Sequence, residues 1–416
     1  MAQLSDDCFA FGGRLMPVEE AMRIITLNVP PNLESERVTL AEADGRVLAE
    51  DVMAPIDLPP FANSAVDGYA VRMADLERAT SLPVEGRVAA GDTAVATLRG
   101  GTARRIFTGA PLPDGADTVF MQEDVEADAA GFVHLPAGLR KGANTRRQGE
   151  DVRAGSKALP AGRRLRPQDV ALAAALGICT LPMRRPIRLA LFSTGEEVVE
   201  TGRPLAPGKL YDANRMLLAA LARRAGAAVS DRGILPDGRA AVIEALRAAA
   251  VTHDLVLTSG GVSTGEEDHV RAAIETLGRL VFWRLAIKPG RPVAMGIIGG
   301  RPLIGLPGNP VAAFVTFIHV ARPLMAALAG AILAPPVALP ARAAFTYGKK
   351  SGRREYLRVR IIRAPDGGFE AHKHPQDGAG ILSSLTETDG LAELDEQVTM
   401  VAPGDTLSYL PYVSLL

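Results

Sequence analysis

The chain has 416 residues, enough for about two to four domains. Lys and Arg total 46 against 47 Asp and Glu, a net charge of −1, which excludes a global electrostatic pull toward nucleic acid or anionic membrane. The two cysteines, Cys8 and Cys179, lie too far apart in sequence for a disulfide framework or a thiolate zinc pair, so a reducing compartment is the default.

The first residues carry acids and no apolar run, so no secretory leader is expected and the protein is expected to be cytoplasmic. "PVEEAMRIITLNV", 17–29, has helical apolar spacing, with Pro17 suited to a first turn. From 52 to 146, short alternating runs broken by turns predict a small inserted β domain. Pro167 opens a helix that Gly177 closes. The 147–185 stretch is expected to return onto the first helix, so that 1–51 and 147–185 make one discontinuous mixed domain.

From 186 to 332 the period alternates. "IRLALFSTG" (187–195) reads as a strand, Asp212 caps the helix "ANRMLLAALARRAG", "AAVSDRGIL" is a strand and "DGRAAVIEALRAAA" a helix. "DLVLTSGG" and "EEDHVRAAIETLG" repeat the pair; "LVFWRLAI", "VAMGII" and "RPLIGLP" add strands, and Pro310 opens a last helix. This predicts an α/β sandwich domain with a mostly parallel sheet covered on both faces. The apolar 310–334 stretch contains His319, Arg322 and Pro323, and reads as a buried helix rather than a membrane span. Residues 333–416 alternate without long helical patterns, giving a C-terminal β barrel or sandwich. The fold class is thus multi-domain α/β plus β.

Three predicted strand ends share one character: "LFSTGEEV" (191–198), "LTSGGVSTGEED" (257–268) and "GLPGNPVAAF" (305–314). Each passes from apolar strand into glycine, hydroxyl or amide residues, where open α/β sheets bind ligands. Glycines let backbone N–H groups approach a phosphate, and the Asn309-Pro310 helix start offers free amides to an oxyanion. Any one such loop is more readily an ordinary turn; three in one domain favour a binding site. Neither GxGxxG nor GxxxxGK[ST] is present, which disfavours a dinucleotide or Walker-type loop. Glu196, Glu197, Glu266, Glu267 and Asp268 would repel a phosphate unless a cation such as Mg²⁺ intervened. Glu266 and Glu267 read as helix-start acids, Glu197 and Asp268 as functional ones. In "RLAIKPGRP" (284–292) strand alternation would place Arg284, Ala286 and Lys288 on one face, either a polyanion site or a solvated basic edge.

"NSAVDGYA", "FTGAPLPDGADTV", "RRQGEDV", "FSTGEEV", "YDANR", "TSGGVSTGEEDHV", "WRLAIKPGRP" and "GLPGNPV" occur in this order across 63–311. Each is modest alone; the ordered set resembles the molybdopterin molybdenumtransferases, the insertases of molybdenum-cofactor synthesis, over nearly the whole chain. The resemblance implies an elongated homodimer with four domains per chain, the second inserted into the first. Its active site would lie between the α/β domain of one subunit and the "NSAVDGYA" domain of the other. It implies that adenylylated molybdopterin and molybdate, with Mg²⁺, yield molybdenum cofactor and AMP, and that the adenylyltransferase supplying the substrate is a further partner. Neither nucleic acid nor membrane is an expected partner.

Carried over by resemblance, Asp67, Glu197, Asp237, Asp268 and Lys288 are catalytic candidates, with Glu197, Asp237 and Asp268 as Mg²⁺ ligands. Thr108 and Asp151 are further active-site positions. Ser193, Thr194, Gly195, Ser259, Gly260, Gly261, Pro307, Gly308, Asn309 and Pro310 would cradle the pterin phosphate. Lys288, Pro289 and Arg358 would receive the oxyanion. Ala312 and Ala379 stand where some members carry serine, which puts the molybdate contacts in question; Thr264 and His269 also depart from the commonest wording. An adenylyltransferase and a non-catalytic pterin-binding scaffold are the alternatives. The "NSAVDGYA" and C-terminal β domains count against the first, and the retained acids and Lys288 against the second.

Overall fold

The computed structural model describes residues 15–235, 238–262 and 269–415. Helix α1 (Val18–Asn28) buries Val18, Ala21 and Ile25 along one face and leads to β1 (Ser35–Thr39). The chain then enters a six-stranded sheet of β2 (Gly68–Val71), β3 (Ser81–Val88), β4 (Ala103–Ile106), β5 (Thr118–Met121), β6 (Glu126–Ala127) and β7 (Phe132–His134), ordered β5-β2-β4-β3-β7-β6. Strand alternation gives this sheet two small cores, one around Val71, Leu82, Phe120 and Val133 and the other around Ala70, Val88, Ile106 and Val119.

Helix α2 (Pro167–Ala175) and strand β8 (Thr180–Arg184) bring the chain back. β8 runs antiparallel to β1, with Ser35 opposite Arg184. Val38, Leu48, Leu159, Leu165, Ala173, Leu181 and Met183 pack into one core between them.

The central region comprises β9 (Arg188–Ser193), α3 (Ala213–Arg224), β10 (Ala228–Ile234), α4 (Arg239–Thr252), β11 (Leu255–Ser259), α5 (His269–Leu277), β12 (Gly278–Trp283), β13 (Ile287–Lys288), β14 (Ala294–Ile298), β15 (Arg301–Leu306) and α6 (Pro310–Thr316). A π turn over Phe317–Ala321 continues α6 into α7 (Arg322–Leu328). Its sheet is ordered β10-β9-β11-β15-β14-β12. The first four strands are mutually parallel, and β14 and β12 join antiparallel. Leu246, Val270 and Ile274 of α4 and α5 cover one face; Leu218, Phe314 and Leu324 of α3, α6 and α7 cover the other. Of the parallel strands, β9, β11 and β15 are buried almost throughout, which explains their continuous apolar runs, whereas the edge strand β10 is not. The Pro310–Leu328 stretch is apolar enough to cross a membrane, but 78% of it is buried inside the fold.

In the C-terminal region β16 (Leu339–Ala343), β17 (Arg354–Arg363), β18 (Phe369–Lys373), β19 (Gly390–Leu394) and β20 (Thr406–Pro411) run β17-β18-β16-β20-β19. β19 pairs back onto β17, closing a five-stranded barrel with no free edge around that ring.

Two expectations change. α1 joins the central core beside α7, so the 147–185 stretch packs on β1 and the 40–53 loop instead. The apolar stripe of α1 finds more buried surface on α7 than the small β1–β8 layer offers. Second, "RLAIK" is not one alternating strand. Arg284 adopts φ 90°, which breaks the extended run, and only Ile287–Lys288 is strand. β13 then leaves the central sheet and runs parallel to β17 of the barrel.

Where the barrel meets the π turn, His319 stacks on Tyr356 with ring centroids 4.2 Å apart, and Tyr356 donates to Glu393 at 2.9 Å. The His319 Nε2 is buried with no hydrogen-bond partner among the described residues. Burial, reinforced by Arg354 and Arg322, pushes this imidazole down from 6.5 to about 3. Between those values the unfolded chain takes up a proton that the folded chain refuses. Stability contributed by neutral His319 is therefore complete above about pH 6.5 and lost as pH falls toward 3. His319→Phe, which keeps the stacking but cannot titrate, is expected to flatten the stability–pH curve in that window, measured by urea unfolding at pH 7 and 5.

Candidate functional site

Because β9, β11 and β15 are parallel, their carboxyl ends open at one edge of the sheet. There a cleft of about 1100 Å³ is lined by residues 193–195, 259–261 and 307–310, which are all ten of the predicted cradle residues, and by Glu197. The tips are laced together by backbone: Thr194 N–H donates to Ser259 O and Gly260 N–H to Leu306 O, each at 2.9 Å. Gly260 and Gly261 have φ of 88° and 69°, a left-handed conformation that disfavours side chains. The Ser193 hydroxyl is buried at this edge with no partner among the described residues.

Asn214 lines the cleft; it lies within "YDANR" but is not among the predicted site residues. Its Nδ2 donates to Ser259 Oγ at 2.9 Å and to Gly308 O at 2.7 Å, so one amide in the first turn of α3 spans two strand tips. The turn is fixed by Asp212, whose side chain caps α3 through Arg215 N–H at 3.1 Å. Buried Arg215 binds Asp212 at 2.8 Å and Asp231 of β10 at 2.5 Å, and reaches Glu200 in the 195–212 flap. A polar residue two positions past a helix cap, in a chain whose strand tips converge there, is the signal that identifies Asn214. Glu197 is exposed on the same flap, its carboxylate folded over Gly195.

The structure separates the other predicted residues. Lys288 Nζ donates to Tyr347 Oη at 2.8 Å and to Glu355 Oε2 at 3.2 Å. Pro289 follows it, and Pro292 beyond reaches the cleft. Arg358 is 4% exposed, too enclosed as placed to meet a diffusing oxyanion. Its guanidinium donates to Ser384 Oγ at 3.0 Å and to Gln376 O at 2.7 Å, bracing the loop whose Gly380 and Leu382 line the cleft. The start of α6 is also less open than expected. Pro310 has no N–H, and Val311 N–H donates to Ala379 O at 3.0 Å. Of the two positions expected to depart from the resemblance, Ala312 is buried and the Ala379 carbonyl is spent on the helix start.

Asp67, Thr108 and Asp151 do not line the cleft among the described residues. Thr108 donates to Asp67 Oδ1 from both N–H and hydroxyl at 2.7 Å. Those two bonds, with Arg105 nearby, hold the Asp67 carboxyl below its usual range. Asp151 is exposed, its N–H bonded to Leu58 O at 3.0 Å. Asp237, Glu266, Glu267 and Asp268 lie outside the described residues, as does Thr264. The described part brings one predicted Mg²⁺ ligand, Glu197, to the cleft and contains no cluster of three metal-binding side chains. It does not by itself make a Mg²⁺ site.

A methyl group on Gly260 would sit 2.7 Å from Thr194 Oγ1 and 2.9 Å from Thr194 O, whereas one on Gly45 would meet nothing within 4 Å at a similar φ of 71°. Gly45→Ala is therefore expected to carry only the left-handed backbone cost, roughly 1 kcal/mol, and Gly260→Ala roughly 2–3 kcal/mol in denaturant unfolding, with loss of ligand binding.

Three family descriptions match the chain in order. These are the MoeA N-terminal region (domains I and II) over residues 16–177, a probable molybdopterin binding domain over 190–327, and the MoeA C-terminal region (domain IV) over 340–412. A molybdopterin molybdenumtransferase of Haemophilus influenzae is 36% identical over 403 residues, covering 97% of this chain and 100% of that one. Molybdopterin molybdenumtransferase 2 of Mycobacterium tuberculosis is 38% identical over 385 residues, covering 89% and 93%. The crystal structure of the molybdopterin biosynthesis moeA protein from Pyrococcus horikoshii OT3 superposes with a TM-score of 0.82 at 30% identity, covering 96% and 100%. With the same regions in the same order over almost its full length, the chain belongs to the molybdopterin molybdenumtransferase family of molybdenum-cofactor biosynthesis enzymes.

Proposed function

We propose that the protein inserts molybdenum from molybdate into adenylylated molybdopterin in a Mg²⁺-dependent reaction, releasing AMP. The observation that carries this reading is the convergence of residues 193–195, 259–261 and 307–310 on one cleft, with Ser193 Oγ left unpartnered there. Such a tip set suits a phosphorylated ligand, and the volume of about 1100 Å³ accommodates a pterin nucleotide. In this reading the strand tips bind and orient the diphosphate, and the two dithiolene thiols form Mo–S bonds as one oxo of molybdate leaves as water with their two protons. Water then cleaves the diphosphate to give AMP and the phosphate-bearing, metal-loaded pterin. Glu197, with Asp237 and Asp268, would hold Mg²⁺, which supplies charge neutralisation at the diphosphate. The protein works in the cytoplasm as a homodimer, and the partner chain brings Asp67 and Thr108 to the cleft. Pairing of Asp67 with Thr108 away from the cleft of its own chain supports that arrangement. An adenylyltransferase supplies the substrate.

The test is to mix the purified protein with adenylylated molybdopterin and Mg²⁺ and follow AMP chromatographically as molybdate is added. AMP release that rises with molybdate is expected; none would overturn the proposal. Protein given molybdopterin and ATP is expected to make no adenylylated product.

The shared site has its own signature. Asp67→Asn and Glu197→Gln homodimers are each expected to lose about 100-fold in turnover. After unfolding and refolding together, half the dimers would be mixed and each would hold one intact site, so about a quarter of parental activity should return. No recovery, with mixed dimers confirmed by mass, would place each site within one chain.

A further inference from the structure

Outside the strand-tip cleft, the described residues include a carboxylate with no exposed side-chain surface. Glu355 of β17 has 0% side-chain exposure and lies directly opposite Lys288 in the parallel β13–β17 register. Its Oε2 accepts from Lys288 Nζ at 3.2 Å and from Tyr347 Oη at 2.8 Å, and its Oε1 accepts from Arg353 Nε at 2.8 Å. Lys288 Nζ also donates to Tyr347 Oη at 2.8 Å and stands 5.5 Å from that ring's centre. Lys373 lies over the same ring at 5.8 Å but is paired with Asp377 at 2.7 Å.

An ammonium has three N–H donors. Here two are committed, to a phenol and a carboxylate that are themselves fixed, while the Lys288 side chain remains 42% exposed. Among the described residues the third donor has no partner, and the partly exposed side chain holds it in a set direction. A lysine side chain free in solution loses rotamer entropy when a ligand fixes it; this one is already held. Burial and then Glu355 push the Tyr347 phenol well up, so it stays protonated and keeps donating to the carboxylate. Two cations, Lys288 and Arg353, meet one carboxylate, leaving the seat net positive toward an anion.

We propose that Glu355 and Tyr347 are positioning residues that seat Lys288, presenting its remaining N–H to the tetrahedral oxyanion substrate beside the cleft. This deepens the insertase reading and rests on it. The seat joins a strand of the central segment to the barrel, so it also gives the C-terminal region a part in oxyanion capture.

The test uses full-length protein with saturating adenylylated molybdopterin and varied molybdate, following AMP. Lys288→Ala probes the reading underneath, and Tyr347→Phe and Glu355→Gln probe the seat. Tyr347→Phe removes one oxygen and keeps the ring, so it serves even if Glu355→Gln fails to fold. The expected result is a KM for molybdate raised about tenfold in Tyr347→Phe and Glu355→Gln, with kcat and the KM for the pterin nucleotide within about twofold. Adding Lys288→Ala to Tyr347→Phe should cost no more than Lys288→Ala alone, because both act on one contact. A role confined to barrel stability would lower the melting temperature and leave the molybdate KM unchanged. If Lys288→Ala raises that KM while Tyr347→Phe and every folded Glu355→Gln sample match the parent, the seat is overturned and the insertase reading stands. If Lys288→Ala itself leaves the KM unchanged while AMP release persists, the oxyanion role of Lys288 fails and the seat with it.

Discussion

A parallel sheet ends its strands on one side, and the loops leaving those ends must satisfy their backbone groups without another strand to pair with. In this protein the need is met partly by tip-to-tip bonds, from Thr194 to Ser259 and from Gly260 to Leu306. The Asn214 amide then spans Ser259 and Gly308. Everything placed around the cleft depends on that lacing. It holds three chain reversals at fixed separations and keeps the left-handed Gly260-Gly261 backbone at the cleft. Arg215 extends the same constraint outward, since its ion pairs fasten the 195–212 flap and β10 to the start of α3.

The second organising contact is the transfer of β13 from the central segment to the barrel. Two residues of strand suffice to bring Lys288 opposite Glu355. Nearby, Arg354 pairs with Glu19 of α1 at 2.6 Å and with Glu393 of β19, so helix, barrel and β13 meet in one charged junction. The π turn at Phe317–Ala321 sits against it, carrying His319 onto Tyr356. Such charges contribute little individually at an exposed surface. Here Arg354 and Glu393 are largely enclosed while Glu19 is exposed, so removing Glu393 would leave Arg354 short of its enclosed partner.

Much of this fold is legible in the chain itself. The unbroken apolar runs of β9, β11 and β15 can only be strands buried on both faces. Pro167, Asp212 and Pro310 mark helix starts because a missing N–H or an added acceptor suits a helix's first turn. The tip residues are equally visible, since a glycine pair such as Gly260-Gly261 after a buried strand signals backbone that must turn left-handed. The partners of long polar side chains are not legible in this way. Asn214 looks like any polar helix residue until Ser259 and Gly308 are brought beside it. Arg358 looks like an open cation until the 376–384 loop closes over it.

The residues taken in order are thus enough to specify which segments are strands and helices and which ends turn, because each follows from local periodicity and backbone freedom. The family is legible separately, as a resemblance of the ordered motifs across 63–311. Packing in three dimensions was needed to join α1 to α7, to break the run at Arg284 before Lys288, and to occupy the Val311 amide with Ala379. It also set Lys288 on Glu355, 67 positions away in the chain. These outcomes depend on which distant surfaces meet. A side chain's charge and reach are written in its residue type, but its partner is set only when packing places another group within about 3 Å.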